Sequence, residues 1–244
     1  MSITSCISSV QRVNSLTQMK DGFFDAVMFD LDGTLVDTAP DMVAVLQAMQ
    51  NAHGVDQVDY ALGRSQVSNG AIGLLSLGFP DLSVEFGDDL HHEYLERYAE
   101  MICEDSAVFP GLGALLDQLD DAGCPWGVVT NKPESLTNPL LEALGLADRC
   151  ACIVSGDSLP VRKPNPAPLL LACEIAGVDT SRSIYIGDAY RDIEAGLRAG
   201  MATIAAAYGY ITEDDDPREW GADIIAPDTE ELALIVVKAV NLGS

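Results

Sequence analysis

Five short apolar runs alternate with helix-length segments along most of this chain, and that rhythm restricts the fold more than any other feature. The runs are 25–29 (DAVMF), 126–130 (WGVVT), 152–155 (CIVS), 183–187 (SIYIG) and 202–206 (ATIAA). Each is rich in apolar or β-branched residues and is bounded by polar, Gly or Pro signals. Helix-like stretches lie near 112–122, 134–144, 166–176 and 190–199, with a terminal one at 229–240. Gly145, Gly177 and Gly200 stand where helix C-termini favour a left-handed residue. Strands alternating with helices of this length predict a mostly parallel sheet covered on both faces. The expected class is α/β with a Rossmann-like parallel-sheet core.

The rhythm breaks once. Residues 38–107 are almost purely helical in pattern, over roughly 39–53, 65–77 and 83–102, before Pro110 and Gly111 restart the core. This predicts an all-helical cap inserted after the first strand, over the carboxyl edge of the sheet, where it can act as a lid. The expected organisation is a leader at 1–19, a core of 20–37 and 108–244, and a cap at 38–107. The leader is Ser-rich and lacks acidic residues, and Met19 is the expected natural start.

Composition narrows the function. The net charge is −25, a surface that repels nucleic acid and anionic membranes. No apolar run approaches the ~20 residues of a membrane helix, no secretory signal is visible, and a cytoplasmic location is expected. The six cysteines, Cys6, Cys103, Cys124, Cys150, Cys152 and Cys173, have no zinc spacing and are read as reduced structural thiols. His53, His91 and His92 fall in the cap, and the His91–His92 pair on an acidic helix reads as a solvated face. A phosphate bound by so acidic a chain requires a metal and local cations.

Four segments carry chemistry, and three place polar residues at the carboxyl ends of strands, where open α/β sheets bind ligands. In FDLDGTLVDT (29–38), Asp30 and Asp32 flank one residue at a strand end, and Gly33 and Thr34 turn the chain and are expected to contact the substrate. Carboxylates are hard ligands suited to Mg²⁺. They can also attack phosphorus or exchange protons with a leaving group and water. In GVVTNKP (127–133), Thr130 and Asn131 can donate to phosphoryl oxygens or simply cap the next helix. Lys is scarce, with Lys20, Lys132, Lys163 and Lys238 alone, so Lys163 in RKPNP is notable as a point charge for phosphate. In IGDAYRDIEAGLRAG (186–200), Asp188 ends a strand and Asp192 lies one turn later on the same face, fit for a metal carboxylate and its support.

In this order the four motifs resemble the haloacid dehalogenase superfamily of phosphohydrolases, over residues 24–227. The resemblance implies Asp30 as nucleophile and Asp32 as general acid/base. It implies Mg²⁺ held by Asp30, the Asp32 carbonyl and Asp188, with Asp192 in support, and a phosphoryl group held by Thr130 and Lys163. Ala189 departs from relatives that carry a hydroxyl or acid there. The segments 64–75 and 206–223 resemble the phosphoglycolate phosphatase branch, especially the subgroup acting on N-acetylmuramic acid 6-phosphate. The implied substrate is a small anionic phosphate monoester, taken by a monomer or homodimer. The alternatives are a phosphomutase of β-phosphoglucomutase type and, more remotely, a non-catalytic phosphate-binding protein. Within the cap, Arg64 is expected to pair with a substrate carboxylate, with Ser68 and Asn69 nearby.

Overall fold

The computed structural model describes residues 23–240; the leader expected at 1–19 lies outside them. The expected parallel sheet is present. Its six strands are β1 (Ala26–Phe29), β4 (Trp126–Val129), β5 (Cys152–Val154), β6 (Ser183–Gly187), β7 (Ala202–Ala206) and β8 (Ile224–Ala226). They run in the order β5-β4-β1-β6-β7-β8, every pairing parallel. The edge strand β8 was not anticipated, because an apolar run this short is indistinguishable from loop.

All four residues of β1 are buried, and they divide between the two faces with the period of two that a strand imposes. Val27 and Phe29 join an apolar cluster with Leu112, Leu116, Leu232 and Val236, from α5 (Leu112–Asp121) and α9 (Thr229–Ala239). Ala26 and Met28 join Leu169, Cys173, Ala195 and Ala199, from α7 (Ala167–Ala176) and α8 (Tyr190–Ala199). A central strand that is apolar on both sides is therefore clamped between two helical layers. Each large side chain removed from water there contributes about 1.5–3 kcal/mol. The fifth core helix, α6 (Glu134–Ala143), adds Leu140 and Leu141 to the first cluster.

The insertion leaves the core through a short antiparallel ribbon, β2 (Val36–Asp37) with β3 (Ala107–Val108). Between them lie α1 (Ala39–His53), α2 (Tyr60–Ser65), α3 (Gly70–Gly78) and α4 (Asp89–Glu100). The helix expected over 65–77 is split by a turn at 67–69 and by Gly70, whose φ of 66° lies in the left-handed region. Met42, Leu46, Leu74, Leu75, Tyr94 and Tyr98 bury the apolar faces of these helices together. Buried Asp41 of α1 accepts the backbone N–H groups of Asp105 and Ser106, tying the start of the insertion to its exit.

Strand order determines where a ligand can sit. From β1 the chain winds outward through β4 to β5, then returns to β6 on the other side of β1 and winds outward through β7 to β8. The connections diverge between β1 and β6, and a crevice opens at the carboxyl ends of such a pair. Asp30 follows β1 and Asp188 follows β6, and the two strand ends are joined by Asp30 N–H donating to Ile186 O at 2.8 Å.

Candidate active site

Three buried carboxylates meet in this crevice: Asp30, Asp188 and Asp192 each offer an oxygen within 4.8 Å of the others. Such a cluster is unfavourable without compensating charge. Lys163 supplies some: its ammonium lies 2.8 Å from Asp30 Oδ1 and 2.7 Å from Asp192 Oδ1, and donates to Val129 O at 2.9 Å and Tyr185 Oη at 2.7 Å. A lysine can be buried here because its donors are all engaged. Its backbone is held by a reciprocal pair with Asn131, whose Nδ2 donates to Lys163 O while Oδ1 accepts Lys163 N–H, both at 3.1 Å. Thr130 is buried beside them, and its Oγ1 accepts Lys132 N–H at 3.1 Å.

The carboxyls still feel the low-dielectric setting. Burial, reinforced by Asp192, pushes Asp30 up to about 6 despite Lys163. Burial, reinforced by Asp30 and Asp192, pushes Asp188 up to about 7. Asp192 engages both oxygens with the protein, Oδ1 with Lys163 and Oδ2 with Ala189 N–H at 3.1 Å, so it stands behind the centre. Asp30 Oδ2 accepts no hydrogen bond among the described residues. The donor set at the centre is all oxygen, which suits a hard divalent cation. Three carboxylates against Lys163 and the nearby Arg191 leave excess negative charge, and a dication makes the centre positive enough to hold phosphate. The residues present therefore fit Mg²⁺.

Gly33 makes the close approach possible. Its φ is 80°, and a Cβ there would stand 2.2 Å from Asp188 Oδ2. Thr34 Oγ1 lies 3.5 Å from Asp188 Oδ1, and Thr34 O accepts from Tyr208 Oη at 2.8 Å. Gly33 and Thr34 were expected to touch substrate; the structure turns both toward Asp188 and away from the cavity wall. Asp32 points elsewhere: its Oδ1 accepts Thr38 Oγ1 at 2.7 Å and Lys132 Nζ at 2.9 Å.

Above this floor a cavity of about 350 Å³ opens between core and cap. Asp30, Asp32, Thr130, Asn131 and Lys132 line its core side; Ser68, Asn69, His91, Tyr94 and Tyr98 line its cap side. Ser68 comes closest to the centre, donating to Asp188 Oδ2 at 2.6 Å, while its carbonyl accepts from the Arg191 guanidinium at 2.5 Å. The cap thus closes directly onto the carboxylate cluster.

Arg64 is the main correction. It does not line the cavity; its guanidinium pairs with Asp37 at 2.6 Å and lies 4.8 Å from the Tyr210 ring centre. Tyr210 explains why: its hydroxyl accepts Thr38 and Ala39 N–H at the ribbon exit and donates to the same Asp37 oxygen. Arg64 completes that junction. The arginines that do line the cavity, Arg162 and Arg191, had not been singled out, although each adjoins a motif residue, Lys163 or Asp192. Lys132, in sequence only one of four scarce lysines, holds Asp32 and donates to Tyr98 Oη at 3.0 Å. His92 is exposed as expected, but His91 is 4% exposed and faces the cavity.

Relatives give this geometry its context. Residues 24–200 match the haloacid dehalogenase-like hydrolase family. The chain is 44% identical over 224 residues to an N-acetylmuramic acid 6-phosphate phosphatase of Pseudomonas aeruginosa, covering 91% of this chain and 99% of that protein. It is 42% identical over 207 residues to a phosphoglycolate phosphatase of Xanthomonas campestris pv. campestris, covering 85% and 94%. Among solved structures, a predicted phosphoglycolate phosphatase from Haemophilus somnus superposes with a TM-score of 0.76 at 28% identity, covering 87% of this chain and 98% of that one. The chain belongs to the haloacid dehalogenase-like hydrolases.

Proposed function

We propose that this phosphoric monoester hydrolase transfers the phosphoryl group of a small phosphorylated carboxylic acid to Asp30 and then to water. The observation that carries the reading is Asp30 itself: buried at the divergence of β1 and β6, opening onto the cavity, with Lys163 against one oxygen. In the first step an Asp30 oxygen attacks phosphorus and the ester P–O bond breaks. Asp32 gives its proton to the departing alkoxide. Thr38 and Lys132 hold Asp32 Oδ1, which leaves Oδ2 to carry that proton. In the second step Asp32 takes a proton from water, the water oxygen attacks phosphorus, and the bond to Asp30 breaks. Thr130 and Asn131 orient the phosphoryl oxygens, and Lys163 neutralises their charge. Mg²⁺, held by Asp30, Asp188 and the Asp32 carbonyl, would supply Lewis-acid neutralisation of the phosphoryl charge.

The relatives' named substrates, N-acetylmuramic acid 6-phosphate and phosphoglycolate, are both phosphorylated acids. A cavity of about 350 Å³ has room for about ten waters, enough to admit the sugar acid as well as the two-carbon acid. The test is phosphate release from a metabolite panel with Mg²⁺ and with chelator. Turnover of a phosphorylated acid with Mg²⁺ and no bisphosphate activator is expected. Strict dependence on a bisphosphate would indicate a mutase, and no release from any monoester would overturn the reading.

A further inference from the structure

We propose that Arg162 and His91 form a second anion subsite that receives the carboxylate of the substrate; this rests on the cavity taking a phosphorylated acid. In a chain of net charge −25, most Lys and Arg among the described residues find an acid. Arg64, Arg97, Lys132, Arg149, Lys163, Arg182, Arg198 and Arg218 each hold a carboxylate within 4.0 Å. Of the remaining Lys and Arg among the described residues, Arg162, Arg191 and Lys238, two line the same cavity. Arg191 is committed to the phosphoryl end, bonded to Ser68 O beside the carboxylate cluster. Arg162 is an exposed residue of the same lining.

Its guanidinium is held in place. Nε donates to Gly156 O at 2.8 Å, and the group lies 5.5 Å from the ring centre of Phe86 in the cap. The other guanidinium N–H groups meet no protein acceptor among the described residues. A fork positioned by its own backbone contact loses little freedom when it binds a planar carboxylate.

The Phe86 ring also lies 4.9 Å from that of His91, so the core loop and α4 meet around it. His91 Nδ1 accepts Gly87 N–H at 3.3 Å, which leaves the ring proton on Nε2. Burial lowers the basicity of this ring, so it is a neutral donor. Among the described residues Nε2 has no hydrogen-bond partner, yet no fully buried side-chain nitrogen or oxygen is left unsatisfied. The atom therefore keeps accessible surface, and His91 is a residue of the cavity lining. The same cavity is also lined by the apolar groups of Met42, Val67, Tyr94 and Leu95, suited to a carbon skeleton.

The test uses matched substrates: N-acetylmuramic acid 6-phosphate against N-acetylglucosamine 6-phosphate, and 2-phosphoglycolate against ethyl phosphate. Within each pair only the acid carries a carboxylate, and the ratio of kcat/KM measures its recognition. In the faster pair the wild type is expected to favour the acid. Arg162→Gln is expected to reduce that preference about tenfold, chiefly through KM, and Arg162→Lys to retain part of it. His91→Gln is expected to reduce it several-fold. A ratio of one in the wild type, an unchanged ratio in Arg162→Gln, or an equal loss on both members overturns the subsite. Those outcomes leave phosphate release itself intact. Failure of the wild type with Mg²⁺ to release phosphate from all four compounds would instead overturn the phosphatase reading, and the subsite with it.

Discussion

Asp30, Asp188 and Asp192 share a space that carboxylates occupy only when cations hold them there, and Lys163 bridges two of the three. Removing the proposed nucleophile tests the arrangement at the smallest scale. Asp30→Asn is isosteric but cannot attack phosphorus, so kcat is expected to fall at least about 1,000-fold, on the order of 4 kcal/mol, with cooperative folding retained. Steady-state kinetics and thermal melts of the purified variant check this. Arg64 makes the converse case. Because it braces Asp37 and Tyr210, Arg64→Ala is expected to lower kcat/KM for an acid and its carboxylate-free partner by the same factor. A selective loss on the acid would return Arg64 to substrate recognition. The positions of Asp30, Asp188 and Lys163 were legible because carboxylates and a scarce lysine at strand ends stand out against the chain. Arg64 misled because its partners come from the ribbon and from a tyrosine 146 positions away, which local spacing does not reveal. His91 misled because a neighbouring histidine and surrounding acids resemble a solvated face, while its own side of α4 packs on Phe86.

At the scale of elements, the turn after β1 brings the two walls of the crevice together. Gly33 tolerates both a φ of 80° and an Asp188 oxygen where a Cβ would stand. Gly33→Ala is expected to destabilise the protein by about 1–3 kcal/mol and to reduce turnover more than stability alone explains, because Asp188 must move. Denaturant melts beside kinetics separate the two effects; wild-type values of both would show that the close approach is unnecessary. The core elements were legible because buried strands of a parallel sheet are continuous apolar runs. The cap was less so. Gly70 and the turn at 67–69 divide one apparent helix, and they put Ser68 against Asp188. β8 has three residues and acquires strand character only by pairing with β7.

For the whole molecule, the raised carboxyls couple folding to pH. Asp30 and Asp188 titrate near 3.8 when unfolded and at about 6 and about 7 when folded. The metal-free folded state therefore binds more protons between these values. The stability that protonation contributes is fully present below about 3.8 and is lost as pH rises through 6 and 7. Thermal melts in chelator are expected to show the melting temperature falling from pH 5 to 8, with a shallower fall in Asp188→Asn and a stabilisation by Mg²⁺ that grows over the same range. A rise in chelator would contradict the burial of these groups. The central claim, a phosphoryl group passed to Asp30 and then to water, has a signature in the product. A phosphorothioate monoester made chiral at phosphorus with one oxygen isotope, hydrolysed in water carrying another, yields a product whose configuration reports the number of displacements. Two in-line steps through Asp30 predict net retention at phosphorus; net inversion would mean that water attacks directly and that Asp30 is not the nucleophile.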